Sequence, residues 1–169
     1  MKKFVIALLF ATPLTSNAQK VALLDIDYKK PVLFTDSVSI SQLAQGYFPV
    51  EVSKIDSFIA NLKYVRDRVN PKVNVHRSKT NSFRLKAGST YIKVETVPHA
   101  YGDSYNVYLQ SSVSGISADY LLASHEMLTK GIAKRINAFI KYLKKDKSLT
   151  INEYQEYSPT EIDQIIYIK

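Results

Sequence analysis

Changes in hydrophobic period along the chain restrict its fold more than any other feature. Between residues 54 and 69, Ile55, Phe58, Ile59, Leu62, Val65 and Val69 recur every three or four positions and so line one face of a helix. From 72 to 112 the repeat shortens to two. Val73 and Val75 alternate with Asn74 and His76, and Phe83 and Leu85 with Arg84 and Lys86. Ile92, Val94 and Thr96 alternate with Tyr91, Lys93 and Glu95, and Tyr105, Val107 and Leu109 with Asn106, Tyr108 and Gln110. This is the pattern of strands with one covered and one solvated face. From 125 to 145 the helical spacing returns in Leu128, Ile132, Ile136, Phe139, Ile140 and Leu143, with Lys130, Lys134, Lys141 and Lys145 on the opposite side.

An apolar sheet face must be covered, and two amphipathic helices are available to cover it. The expected fold is therefore α+β: a two-layer sandwich in which a four-stranded antiparallel meander (about 72–112) is flanked in sequence by helices at about 54–69 and 125–145. Ser53 is placed to cap the first helix, with Asp56 three residues on, and Asn70 followed by Pro71 ends it. Residues 20–28 and 31–35 read as short strands. Ser41–Gln45 reads as one helical turn closed by Gly46, and the Ser- and Gly-containing stretch at 111–119 as a flexible connection. Near the C-terminus Ser158, Pro159 and Glu161 signal a helix start, whereas Ile165–Ile168 is strand-like in composition; the helix is the favoured reading.

The first eighteen residues have a different character. Lys2 and Lys3 precede the apolar run Phe4–Ala11, and small residues stand at Ser16 and Ala18. This is the layout of a secretory signal peptide, and the run is too short to span a bilayer. The expectation is cleavage after Ala18, a single globular domain over 19–169, and a periplasmic or secreted location. The formal charge then falls from +8 to +6, since residues 1–18 hold two lysines and no acid. The remaining chain contains no stretch long and apolar enough to cross a membrane.

With 46% apolar and 22% charged residues, the composition is that of a folded domain. There is no cysteine, which excludes disulfides, thiolate metal sites, cysteine nucleophiles and a lipidated N-terminal cysteine. The five glycines, Gly46, Gly88, Gly102, Gly115 and Gly131, are scattered singly, so no phosphate-cradling loop is present. His125 and Glu126 begin a zincin-like pair, but the position of the second histidine is Thr129. No cofactor and no metal are expected. Two constellations remain as weak candidates. Asp25 and Asp27, two apart on a strand, would point to one face and suit a cation, although a solvent-facing strand explains them equally well. His99, Tyr101 and Asp103 share a loop with the ingredients of acid–base chemistry, although Pro98 and Gly102 already explain it as a turn.

The remaining candidate is a surface. The polar side of the meander would present Arg84, Lys86, Tyr91, Lys93 and Tyr108 together, and tyrosine and arginine are favoured where interfaces concentrate their energy. With no catalytic motif complete, the expectation is an exported, non-enzymatic protein-binding module of the cell envelope, such as an inhibitor, immunity protein, adaptor or chaperone. One alternative is binding of an anionic polymer or membrane surface through the basic surplus. A second is a small hydrolase or ligand pocket at the His99 loop. Nucleic acid is not an expected partner, because the leader directs the chain out of the cytoplasm.

Overall fold

The run Val21–Asp25 forms β1, which lies between β2 (Leu33–Thr35) and β3 (Tyr47–Glu51) in a three-stranded antiparallel sheet. Every residue of β1 and β3 is buried, so each strand reads as four apolar residues without alternation, closed by a buried acid, Asp25 or Glu51. Ala22, Leu24, Phe48 and Val50 join the main core, while Val21, Leu23 and Tyr47 pack on the other side against Val38 and Val113. Pro49 is tolerated because β3 is an edge strand of this sheet. The short helix α1 (Ile40–Ala44) begins at Ser39, whose side chain and that of Gln42 form a reciprocal capping box, and it hands over to β3 at Gly46, where φ is +86°.

These features come from a computed structural model that describes residues 20–70, 82–98, 103–113, 115–152 and 162–163. The second sheet contains β4 (Phe83–Ala87), β5 (Thr90–Val97), β6 (Ser104–Val113), β7 (Ile116–Ala123) and β8 (Ile162–Asp163). They are ordered β7-β6-β5-β4-β8 and all pairs are antiparallel. Its inner face contributes Leu85, Ile92, Val94, Val107 and Leu109 to the main core. The helices α2 (Ile55–Val69) and α3 (Leu128–Lys145) bring Phe58, Leu62, Val65, Ile136, Phe139 and Leu143 into the same cluster. The fold is thus α+β, with a four-stranded antiparallel meander β4-β5-β6-β7 and two amphipathic helices in contact with it.

The register of that meander departs from expectation at both ends. The first expected strand, around Val73 and Val75, lies outside the described residues. The stretch at 111–119, expected to be a flexible connection, is instead the end of β6, a turn at Gly115 and the start of β7. Its inward positions Ser111 and Ala118 are small and buried, and Val113 packs into the separate cluster beside β1, so the alternation continues with few large apolar markers. Ser111 Oγ also lies 3.4 Å from Thr90 Oγ1 on β5.

Two local expectations are corrected as well. Ser53 does not cap α2. It sits within a 3-10 turn (Val52–Lys54), Lys54 holds the N-cap position without a side-chain hydrogen bond, and Asp56 accepts instead from Asn152 N at 2.7 Å. The favoured helix near the C-terminus is not what Ile162 and Asp163 form: they pair with Leu85 and Arg84 as β8, covering part of the edge of β4. The rest of residues 153–169 lies outside the described residues.

Candidate binding face

Strand alternation carries the polar side chains of the meander to the surface away from the helices. The register aligns them in rows across the strands. Lys86, Tyr91, Gln110 and Asp119 form one row; Arg84, Lys93, Tyr108 and Leu121 form the next; Glu95 and Asn106 stand opposite each other in the third. All five residues expected to form a binding surface, Arg84, Lys86, Tyr91, Lys93 and Tyr108, are therefore neighbours on one face. Of the other residues expected there, Glu95, Asn106 and Gln110 join them, while Asn74 and His76 lie outside the described residues.

The cations organise around the aromatic rings. The Arg84 guanidinium carbon lies 4.4 Å from the centroid of Tyr91 and Lys86 Nζ lies 5.8 Å from it, so one ring receives two positive groups. Lys93 Nζ lies 5.8 Å from the Tyr108 ring and 2.5 Å from Glu95 Oε1. Burial, followed by the neighbouring Glu95 carboxylate, pushes the Tyr108 phenol above its ordinary pKa. At the far side of the face Gln110 Nε2 donates to Asp119 Oδ2 at 3.0 Å. A depression of about 270 Å³ opens there, lined by Tyr91, Gln110, Ser112, Ser117 and Asp119 among others.

Two contributors were missed in the sequence. Asp119 and Leu121 belong to the face through β7, and Leu121 is an apolar side chain 51% exposed beside Tyr108. Their signal was the alternation of Ser117, Asp119 and Leu121 with Ala118, Tyr120 and Leu122. The regular β6–β7 register sets Leu121 opposite Tyr108, and it shifts only beyond that pair, where Val107 stands opposite Ala123.

The other candidates are dispersed. Asp25 is not on a solvent-facing strand with Asp27: β1 ends at Asp25, which is 2% exposed. Its carboxylate accepts from the backbone amides of Lys29 and Lys30, each at 2.7 Å, and of Asp27 at 3.3 Å. That is the turn-forming chemistry of an aspartate beside its own backbone. Among the described residues no three His, Asp or Glu side chains gather as a cation site. His99 and Tyr101 lie outside the described residues, and Asp103 is exposed just before β6. His125 is held structurally, with its backbone N and its Nδ1 at 2.8 and 3.0 Å from Asn106 Oδ1. No helix among the described residues is long and apolar enough to cross a membrane. No protein family, curated protein or solved structure matches the chain.

Proposed function

We propose that the chain is an exported, non-enzymatic protein-binding module of the cell envelope, of the inhibitor, immunity or adaptor kind, that engages its partner through the outer face of the meander. The observation that carries this reading is the convergence of Arg84, Lys86, Tyr91, Lys93 and Tyr108 on one face, with two cations against Tyr91 and one against Tyr108. Rings braced by cations on a rigid sheet offer contact area at small cost in side-chain entropy. Export is supported by the basic, apolar and small-residue layout of residues 1–18.

A second reading, attachment to an anionic polymer or membrane surface, is favoured by a different feature. Lys130, Lys134, Lys141 and Lys145 are all exposed on α3, forming a basic ridge apart from the sheet face. The readings separate in one pair of assays, capture of envelope proteins and binding to heparin or anionic vesicles, applied to two folded variants. Truncating Tyr91 and Tyr108 to Ala weakens partner capture by at least about tenfold, the loss of one interface hot spot, and leaves heparin binding unchanged. Reversing Arg84, Lys86 and Lys93 to Glu abolishes capture. If both variants capture the partner as well as the wild-type protein does, the sheet face is not the binding surface.

A further inference from the structure

We infer that the lysine ridge of α3, with Met127 and Leu128 at its head, is a docking surface for an anionic lipid bilayer, and that docking leaves the meander face turned away from the membrane. The inference rests on the reading of the ridge as an attachment surface and names what it attaches to. Over its 18 residues α3 contains no acid. At about 100° per residue, Lys130, Lys134, Lys141 and Lys145 fall within about 60° of the helix circumference and along about 22 Å of its length. All four are exposed. Among the described residues the ion pairs are Arg66–Asp67 and Lys93–Glu95, and neither neutralises a ridge lysine. The result is a straight positive row that is complementary to an anionic surface.

Two apolar side chains select a bilayer over a soluble polyanion. Met127 is 44% exposed and Leu128 is 68% exposed, immediately ahead of Lys130. Met127 lies over the helix flank next to the ridge, since a Cβ at Gly131 would stand 3.2 Å from the Met127 Cβ. Leu128 is held at φ +57°, a conformation that is costly for a bulky residue and that concentrates at functional positions. A soluble polyanion meets the lysines but offers these two side chains no apolar surroundings. A bilayer offers both, anionic headgroups for the ridge and an acyl boundary that takes up apolar side chains beside basic ones. The other side of α3 places Ile132, Ile136, Phe139 and Leu143 in the core shared with the inner face of the meander. The ridge and the Tyr91–Tyr108 face therefore point in opposite directions, and docking through one leaves the other open to a protein partner.

The test is flotation of the chain recovered from an export-competent host with vesicles of equal parts phosphatidylglycerol and phosphatidylcholine, with soluble heparin as a parallel probe. All variants share one N-terminus, so the comparison is independent of the leader. The expected result is vesicle binding that weakens as salt is raised. Changing the four ridge lysines to Gln weakens it by about a hundredfold or more, at about fivefold per lysine, whereas changing Arg84, Lys86 and Lys93 to Gln alters it by less than about fivefold. Met127→Ser with Leu128→Gly weakens vesicle binding by about tenfold or more and leaves heparin binding within about twofold. Glycine accepts the positive φ, so this variant keeps its fold, and circular dichroism checks that each variant does. In nanodiscs of the same lipids, a nitroxide-headgroup lipid is expected to broaden the amide resonances of α3 more than those of β5 and β6. Absent flotation, equal losses in the ridge and face variants, an apolar variant that floats as well as wild type, or broadening centred on β5 and β6 overturns the bilayer assignment. Heparin binding that depends on the four lysines, without vesicle binding, keeps the ridge as an attachment surface and rejects only the bilayer; failure to bind either probe rejects the ridge as well.

Discussion

At the scale of single residues, the loops are fixed by a few side chains that reach backbone atoms far away in sequence. Gly88 turns β4 into β5 at φ +63°, and a Cβ there would stand 2.5 Å from Glu51 Oε2, the carboxylate whose other oxygen accepts from Ser89 N at 3.0 Å. Gly88→Ala combines left-handed strain with a clash against a buried carboxylate, and it is expected to cost about 1–3 kcal/mol; an unchanged urea midpoint would contradict this. Asp146, just past α3, illustrates a pH-linked contact. Its Oδ2 accepts from Val32 N at 2.8 Å, its Oδ1 accepts from Ser148 N at 3.0 Å, and the Ser148 hydroxyl also donates to it. Burial works to raise its pKa, but these hydrogen bonds outweigh burial and hold the carboxyl below its ordinary value of 3.8. The sign follows: a depressed folded pKa stabilises the protein above the ordinary aspartate value, and that stability is lost as pH falls through the folded value. Asp146→Asn is accordingly expected to cost about 1 kcal/mol near neutrality, with the difference from wild type shrinking as unfolding is followed down the acid limb. A difference independent of pH would show that the charge is not involved.

Secondary-structure elements meet through a mixture of apolar packing and isolated polar ties. Asn61, 1% exposed on α2, donates through Nδ2 to Lys86 O at 3.0 Å and so fastens the helix to β4 beneath the candidate face. Asn61→Ala leaves a carbonyl without its donor and is expected to destabilise by about 1–3 kcal/mol, with faster amide exchange in β4 than in β6; uniform loss of protection across the sheet would refute a local tie. The elements most legible in the sequence were those whose period was carried by large residues. Helix α2 was expected over 54–69 and runs Ile55–Val69, and Phe83, Leu85, Ile92, Val94, Val107 and Leu109 face inward as their alternation required. What escaped was β7, because Ala118 on its covered side and Ser111 opposite it on β6 are small side chains, and the three-stranded sheet as a packing layer, because a strand buried on both faces has no alternation to read. The Asp25 turn was also hidden, since the alternation assumed for Asp25 and Asp27 ends where the carboxylate folds back on the amides of Lys29 and Lys30. The five residues of the candidate face were legible as a group because alternation alone assigns them a side. The unequal states of Arg84, Lys86 and Lys93 were not, because Arg84 and Lys86 lean on Tyr91 across the β4–β5 register, and register is not written in one strand's pattern.

For the whole molecule, charge divides into three parts: a leader expected to be removed, a lysine ridge on α3, and a sheet face on which, among the described residues, Lys93 is ion-paired with Glu95 whereas Arg84 and Lys86 are not. Production in an export-competent host is expected to give a protein whose N-terminal residue is Gln19, and N-terminal sequencing that returns the intact leader would reject the export reading. The central claim is that recognition belongs to the face and not to the overall positive charge. Its most direct measurement is quantitative capture from envelope extract by three folded proteins of the same fold content: wild type, the Arg84→Glu/Lys86→Glu pair, and a ridge variant with Lys130, Lys134, Lys141 and Lys145 changed to Glu. The prediction is that one partner is recovered equally by wild type and the ridge variant and is lost with the face variant. Equal loss in the two variants, or loss with the ridge variant alone, would contradict it.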